Sequence, residues 1–164
     1  MKTIRLVPIG IIHTPYKTPE GMAIQSKFDR HGTGQVKLFS KYRKGLKDIK
    51  GFSHLILIYH FHREKREMVI VRPFLEDKNR GVFSTRSPLR PNHLGFSVVQ
   101  IKKIHKDGFD FWGVDMLNQT PLLDIKPYIT HIDSRKNVKN GWFQKHLRGG
   151  KIPRRARIMK NHLA

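Results

Sequence analysis

Short apolar segments rich in β-branched residues, separated by glycine and proline, place the strongest limit on what this chain can fold into. His54 to His62 (HLILIYHFH) is apolar on both parities, which is typical of a central strand covered on both faces. Ile4 to His13 has the same character, but Pro8 marks part of it as an edge or a bulge. Lys106-Asp107-Gly108 joins the apparent strands Gly95 to Ile104 and Phe109 to Met116 as a hairpin turn would. The pattern predicts a mainly β fold, a barrel or a sandwich, with few and short helices.

The charge of the chain limits its partners. Of its 164 residues, 33 are Lys or Arg and 12 are Asp or Glu, which gives a formal net charge of +21. A folded domain with this excess repels itself, and its commonest partner is nucleic acid, whose phosphates release condensed counterions on binding. Anionic membranes and acidic protein surfaces are the alternatives. The sequence has no long basic amphipathic helix and no apolar run of about 20 residues, so we predict no membrane partner.

The chain offers little for metal or redox chemistry. Cysteine is absent, which excludes disulfides, thiolate metal sites and a cysteine nucleophile. His54, His60 and His62 share one strand parity, but no cysteine and no suitably spaced carboxylate accompanies them, so we predict no metal site. The first five residues lack the apolar block of a secretory signal, and we expect a cytoplasmic protein.

The composition changes near the C-terminus. From Arg135 onward the sequence is very basic and contains Gly149-Gly150 and the run Arg154-Arg155-Ala156-Arg157. We interpret residues 1–134 as the β domain and residues 135–164 as a basic extension that is mobile or becomes ordered on a partner. Arg154, Arg155 and Arg157 are candidates for contacts with nucleic-acid phosphates.

A proline-stiffened loop with two arginines is the first candidate site. It runs from Gly81 to Gly95, and Arg86 and Arg90 bracket Pro88 within it. Proline lowers the entropy lost when such a loop binds a ligand, and the guanidinium groups suit phosphate or carboxylate. Asn92 can contact a base edge or hold the loop through an Asx turn. The alternative is a structural turn with solvated arginines.

Two carboxylates in apolar runs form the second candidate site. Asp115 and Asp124 stand out in a chain with so few acidic residues, and a carboxylate in such a run should be paired, hydrogen-bonded or functional. Lys126 is a structural partner for Asp124, because residues i and i+2 share a strand face. A salt bridge and a catalytic role for Asp124 therefore remain equal alternatives.

Gly32-Thr33-Gly34 is not a dinucleotide-binding fingerprint, so a nucleotide-like cofactor would be bound by a different motif.

Five sequence blocks together resemble one known family. The blocks are Pro8-Ile9-Gly10 with Thr14-Pro15-Tyr16-Lys17 and Gln25, then 51–55, 60–63, 81–92 and 120–128. In this order they resemble the TsaA-like (YaeB-like, TrmO) family over about residues 4–133. The chain has His93-Leu94 where the family usually has Pro-Ile, and Asn118-Gln119 where it has Asp-Gly.

The resemblance implies a small β-barrel that binds S-adenosylmethionine, acts as a homodimer and methylates transfer RNA. The implied reaction is N6-methylation of N6-threonylcarbamoyladenosine at position 37. The cofactor residues implied by analogy are Gln25, Ser26, Lys27, Phe28, His62, Arg63, Arg86, Leu94, Asp115, Asn118, Gln119, Thr120 and Pro121. For catalysis we predict Asp124 as the base, with Tyr128 as second choice, together with Arg86. For the RNA we predict Arg86, Arg90, Asn92, Lys126 and the arginines of the extension.

Two other functions remain open from the sequence. One is a non-catalytic, basic RNA-binding β-barrel that uses the same loops without a methyl donor. The other is a methyltransferase that acts on a different acceptor. Binding of the methyl donor separates the first of these from an enzyme, because a pure RNA-binding module needs no pocket for a sulfonium.

Overall fold

Eight short strands dominate the fold. The computed structural model describes residues 3–29 and 31–150, the last four by their backbone alone. The strands are β1 (Gly10–His13), β2 (Thr33–Leu38), β3 (His54–His60), β4 (Ile70–Val71), β5 (Arg80–Gly81), β6 (Leu94–His105), β7 (Gly108–Trp112) and β8 (Thr120–Pro127). Six of them close into an antiparallel barrel in the order β1-β2-β7-β6-β3-β8, and β4 pairs with β5 outside it. The predicted mainly β barrel is confirmed.

The helical segments are short, as the sequence predicts. One α-helical turn, α1, spans Thr130–Asp133. The 3₁₀ segments are Ser26–Phe28, Ser40–Leu46, Ile49–Gly51, Val82–Ser84, Pro91–His93 and Gly141–Gly150. Within the described part of the chain, no helix is both long and apolar enough to cross a membrane.

Alternation along the strands builds the core. On β3, Leu55, Leu57 and Tyr59 face the barrel interior, and Ile56 between them is also buried, so the predicted two-sided burial holds for that part of the strand. The interior is filled by one cluster of buried residues: Ile12, Val36, Leu38, Leu55, Leu57, Tyr59, Val99, Phe109, Phe111, Val114, Met116 and Leu122. Burying such a cluster supplies the main stabilisation of the barrel.

Two glycines let aromatic rings pack directly against the barrel wall. A Cβ atom on Gly95 would overlap the ring of Tyr59, and one on Gly34 would overlap the ring of Phe111. Gly95 lies opposite Tyr59 in the β3–β6 pair, and Gly34 lies opposite Phe111 in the β2–β7 pair. Each glycine therefore makes room for a buried aromatic side chain on the neighbouring strand.

The antiparallel order places alternate connections at the same end of the barrel. β1, β3 and β7 end where β2, β6 and β8 begin, so the loops 14–32, 61–93 and 113–119 meet at one end. The two-residue turn Lys106-Asp107, where we predict a hairpin, lies at the other end together with residues 39–53. The candidate-rich loops of the sequence are thus brought together by topology.

Two predicted strands are shorter in the structure. The strand predicted from Ile4 to His13 begins only at Gly10, because Pro8 has no backbone donor and residues 4–7 are exposed. The strand predicted from Phe109 to Met116 ends at Trp112, where Gly113 adopts φ 92° and turns the chain. The residues that follow, Val114 to Met116, still pack into the core.

A matched pair of glycine substitutions tests the packing at Tyr59. Gly95→Ala should lower the free energy of unfolding by about 1–3 kcal/mol, because the new methyl group must displace a buried ring. Gly45→Ala, where no atom lies within 4 Å of the new Cβ, should have little effect or stabilise slightly. Urea unfolding followed by circular dichroism measures both changes, and equal effects at the two positions would contradict this packing.

Candidate active site

A buried carboxylate anchors the loop end of the barrel. Asp115 is 8% exposed. Its Oδ2 accepts a 2.7 Å hydrogen bond from the Ser26 backbone N–H, and its Oδ1 accepts a 2.6 Å bond from the Ser97 hydroxyl. The Ser97 hydroxyl also lies 3.0 Å from the Tyr59 hydroxyl, so the network reaches into the core. Asp115 thereby fixes the 3₁₀ turn Ser26–Phe28 against the barrel.

The surroundings of Asp115 oppose its ionisation. Burial raises the pKa of Asp115 to about 6, and the hydrogen bonds from Ser97 and Ser26 reduce this effect without cancelling it. The positive charge of Arg86 acts in the same direction as those bonds. Asp115 is therefore a carboxylate that changes charge close to neutral pH.

Arg86 lies at the same end and joins two loops. Its Nη1 donates a 2.7 Å hydrogen bond to Gln25 Oε1, across 61 residues of sequence. Its guanidinium carbon lies 5.8 Å from the ring centroid of Phe96 on β6, which is a cation–π distance. Arg86 is exposed, so the rest of its fork is open to a ligand.

A second set of contacts joins the loop before β8 to the other loops of this end. His62 Nδ1 lies 3.5 Å from Thr120 Oγ1, and that hydroxyl donates a 2.7 Å bond to Leu117 O. Burial, with help from Arg63 and His60, lowers the pKa of His62, which favours a neutral imidazole at pH 7.

The chain that follows β1 meets the same loop. Asn118 N–H donates a 2.7 Å bond to Tyr16 O, and Asn118 Oδ1 accepts a 3.2 Å bond from Thr14 N–H. Arg63 Nη1 donates a 2.7 Å bond to Lys17 O. The structure thus brings the predicted residues His62, Arg63, Asn118 and Thr120 together.

Two residues at which the sequence departs from the pattern that it resembles have left-handed backbone. Gln119 has φ 65°, a conformation that favours glycine. His93 has φ 47°, which a proline cannot adopt. The Arg86 loop of this chain therefore takes a path near His93 that a proline would forbid.

Contacts within the loop from Ser84 to His93 add to the long-range bond between Arg86 and Gln25. Arg90 Nη1 donates a 3.1 Å bond to Thr85 O, and His93 Nδ1 lies 3.0 Å from Pro88 O. Asn92 is exposed in the left-handed region, at φ 62°. Arg90 therefore has a structural contact within the loop, as expected for the alternative of a structural turn. A role for Arg90 and Asn92 in binding RNA remains a prediction.

A buried glutamate attaches part of the basic extension to the loop 61–93, which carries Arg86. Glu76 is 4% exposed and receives Arg80 Nη2 at 2.6 Å, His146 Nε2 at 3.0 Å and the Lys145 ammonium. The hydrogen bonds from Lys145, Arg80 and His146, with Lys145 contributing most, lower the pKa of Glu76 to about 2. Trp142 Nε1 donates a 2.8 Å bond to Ser84 O, two residues before Arg86. Residues 142–146 of the predicted extension therefore pack on the loop 61–93, which carries Arg86.

Of the predicted catalytic residues, Asp124 lies on β8 and Tyr128 directly follows that strand. Asp124 Oδ2 forms a 2.8 Å ion pair with Lys126 Nζ, with side-chain exposures of 44% and 58%. Asp124 pairs with Ile58 on β3, so it lies on the outer face of the barrel. Tyr128 packs against His54, at a centroid distance of 6.4 Å, at the opposite end. The expected salt bridge is present, and the catalytic roles of Asp124 and Tyr128 remain predictions.

The other predicted residues have simple positions. Lys27 and Phe28 lie on the turn fixed by Asp115, Leu94 begins β6, and Pro121 follows Thr120 on β8. Arg154, Arg155 and Arg157 lie outside the described residues. Among the residues that the structure describes, no group of three or more His, Asp or Glu side chains is arranged to hold a metal ion.

Several residues of the site are not apparent from the sequence. Asp29 accepts hydrogen bonds from Gly32 N–H and Val114 N–H, at 2.9 Å each, and so joins loop 14–32 to loop 113–119. The sequence gives a weak indication of Ser97, because it is a polar residue on the inward-facing side of β6 between Gly95 and Val99. Glu76 had none, because its main partners lie in the distant extension.

The pH dependence of stability tests the state of Asp115. At low pH the carboxyl is protonated in both the folded and the unfolded chain. Between about pH 4 and 6 the unfolded chain loses this proton first, so the buried site costs stability, up to about 3 kcal/mol above pH 6.

An Asp115→Asn variant, which cannot ionise, should therefore gain about 3 kcal/mol relative to the wild type as the pH rises from 3 to 7. Urea unfolding across this pH range measures the difference. A difference that stays constant with pH would contradict the buried, hard-to-ionise state of Asp115.

Comparison with known proteins connects this site to one family. The tRNA-methyltransferase O N-terminal domain matches residues 11–134. A probable S-adenosyl-L-methionine-binding protein of Pyrococcus abyssi is 46% identical over 140 residues, which cover 85% of this chain and 76% of that protein. The tRNA (adenine(37)-N6)-methyltransferase of Escherichia coli K12 is 31% identical over 154 residues, which cover 88% of this chain and 66% of the enzyme.

Solved structures agree with the sequence relatives. A crystal structure of TrmO from Pseudomonas aeruginosa superposes with a TM-score of 0.73 at 28% identity, covering 86% of this chain and 63% of that one. The chain thus spans less than two thirds of that solved structure. The family match includes all six barrel strands except the first residue of β1, together with the loops that carry Arg86 and Asp115. The chain therefore belongs to the TrmO family and has a TrmO N-terminal domain.

Proposed function

We propose that the chain binds S-adenosylmethionine at the loop end of its barrel and methylates N6 of N6-threonylcarbamoyladenosine at position 37 of transfer RNA. The observation that carries the proposal is the convergence of Gln25, Ser26, Arg86 and Asp115 from three separate loops in a chain of this family. Relatives named as S-adenosyl-L-methionine-binding proteins and as tRNA (adenine(37)-N6)-methyltransferases support it.

The residues at this end fit a cofactor that carries both charges. The sulfonium and ammonium groups of S-adenosylmethionine are cationic, and Asp115 supplies a local carboxylate in a chain of net charge +21. The carboxylate group of S-adenosylmethionine suits the open guanidinium group of Arg86, which Gln25 holds in place. The Ser26–Phe28 turn and the Asn118–Pro121 segment border the same end of the barrel, where we place the rest of the cofactor.

When bound, S-adenosylmethionine supplies a methyl group on a sulfur that leaves readily. The tasks left to the protein are to align the acceptor nitrogen with that methyl group and to exclude water. The contacts that hold the Arg86 loop, from Gln25 and from Trp142 to Ser84, limit its motion before any ligand binds. Arg86 and Arg90 would then contact the threonyl carboxylate or nearby phosphates of the RNA.

The acceptor nitrogen is ureido-like and weakly nucleophilic, so a base that takes its proton would help. Asp124 is accessible and lies beside Lys126, a cation suited to the RNA backbone. We place the base at Asp124, on the outer face of β8, which begins at the Thr120 turn. Asp115, with its pKa near neutrality, is the other carboxylate of the site, although burial limits its access to an acceptor.

The chain also has surface suited to a homodimer. Val69, just before β4, is 72% exposed, Ile70 on β4 is 52% exposed and Phe83, just after β5, is 79% exposed. Apolar side chains this exposed on neighbouring segments mark an interaction surface. We propose that a second copy of the chain covers this surface, close to the loop that carries Arg86.

Cofactor binding tests the Arg86 assignment. In isothermal titration, S-adenosylmethionine should bind the wild type, and Arg86→Ala should bind it at least about tenfold more weakly, because a charged hydrogen bond is lost. Arg43→Ala, at the opposite end of the barrel, is the matched control and should bind normally. Absence of binding by the wild type at millimolar cofactor would favour the non-catalytic RNA-binding barrel.

Single-turnover methylation of transfer RNA tests the base. Asp124→Asn should slow methyl transfer by about 100-fold or more while leaving the affinity for S-adenosylmethionine unchanged, because only proton removal is lost. Asp77→Asn, at an exposed acidic residue away from β8, is the control. A normal rate for Asp124→Asn together with a slow rate for Asp115→Asn would transfer the role to Asp115.

A further inference from the structure

An open groove runs along the outer face of the barrel next to the candidate active site. Its volume is about 330 Å³, within the range of small-molecule sites. Its lining comes from β1, β2, β6 and β7 and from the start of the loop after β1: His13, Thr14, Pro15, Thr33, Gly34, Gln35, Lys102 and Asp110. The strand register places His13, Gln35 and Asp110 side by side across three strands.

A tryptophan stands at the rim of this groove. Trp112 is 36% exposed and lies opposite Thr33 on β2 and Gln100 on β6, one row of outward-facing residues from Gln35 and Asp110. Lys102, which lines the groove, holds its ammonium 5.6 Å from the Trp112 ring centroid. An exposed aromatic ring beside a cation is the combination that binds unpaired nucleotides, by stacking and by phosphate attraction.

The charge of the groove suits a phosphate. Lys102 and Lys103 on β6 are exposed, and Lys37 is exposed on the same outer face of β2. Asp110 is the acidic residue of the lining, but its Oδ1 accepts a 2.9 Å bond from Gln35 and its Oδ2 lies 2.9 Å from His105 Nε2. Cations therefore outnumber the one carboxylate, which already has two partners.

The groove adjoins the proposed cofactor site through direct contacts. His13 Nδ1 lies 3.3 Å from the Gln119 amide nitrogen, and Thr14 Oγ1 donates a 3.0 Å bond to Met116 O. The segment around Gln119, which we propose as part of the cofactor site, therefore borders the groove. An RNA strand with one nucleotide at the barrel end would lay a neighbouring nucleotide along this face.

We propose that this groove binds an unpaired RNA nucleotide next to the one that is modified. Its base stacks on Trp112, its phosphate pairs with Lys102, and the amide of Gln35 and the hydroxyl of Thr33 offer polar contacts. The inference rests on the proposed function, since it assumes an RNA substrate. It adds a surface that helps the enzyme select an anticodon loop, where bases are unpaired, over a helical stem.

Fluorescence anisotropy with a labelled anticodon stem-loop RNA tests the groove. Trp112→Leu should weaken binding about tenfold, the loss expected for one stacked base. Lys102→Gln should lower the slope of log affinity against log salt by about 0.7, the value for one phosphate contact on a single strand. Lys47→Gln, which removes the same charge from an exposed position at the other end of the barrel, should lower it less.

Intrinsic fluorescence gives an independent readout. The chain has two tryptophans, and stacking on Trp112 should quench the emission of the wild type at saturating RNA, while Trp112→Leu, which keeps only Trp142, should show clearly less quenching. Titration with S-adenosylmethionine should give the same affinity for wild type, Trp112→Leu and Lys102→Gln, which shows that the variants are folded and that the cofactor site is intact.

The outcomes separate this inference from the proposed function. If the wild type binds and methylates the RNA but both variants bind it like the wild type, the groove is not an RNA contact and the proposed function stands. If the wild type binds S-adenosylmethionine but no RNA, both proposals fall. If Trp112→Leu does not fold, the salt slope of Lys102→Gln decides, and an unchanged slope overturns the inference.

Discussion

The hydrogen bonds to the buried Asp115 carboxylate hold the loop end of this barrel together. The carboxylate receives the Ser26 N–H from one loop and the Ser97 hydroxyl from the barrel wall. Without these two donors a buried charge would be strongly unfavourable, and even with them burial raises the pKa of Asp115 to about 6. The site therefore retains a group whose ionised form costs stability, which is expected where a local negative charge has a task.

The barrel supplies the rigid support for this arrangement. Its antiparallel order sends three loops to one end, and Tyr59, packed on Gly95, connects the Asp115 network to the core. The loop that carries Arg86 is more exposed than the Asp115 network and depends on long-range partners. Gln25 bonds to Arg86, and Trp142 bonds to Ser84. A local network at the barrel wall and a loop held by remote contacts together form the site at which we propose that the cofactor and the RNA bind.

The sequence predicts the barrel well because alternation of apolar residues is a local property of strands. It also predicts the ion pair of Asp124 and Lys126, whose spacing of two residues places both on one strand face. The contacts of Arg86 with Gln25 and of Glu76 with His146 span 61 and 70 residues, and no local pattern encodes such loop contacts. The end of the predicted strand at Trp112 depends on Gly113 at φ 92°, which composition alone does not reveal.

The most direct test of the account is a crystal structure of the protein with S-adenosylmethionine. We expect the cofactor at the loop end, with its carboxylate at Arg86 and its sulfonium on the Asp115 side. Its adenosyl part should lie along the Ser26–Phe28 turn or the Asn118–Pro121 segment. A cofactor bound elsewhere on the molecule, or a loop end closed by its own side chains while the protein still binds the cofactor, would contradict it.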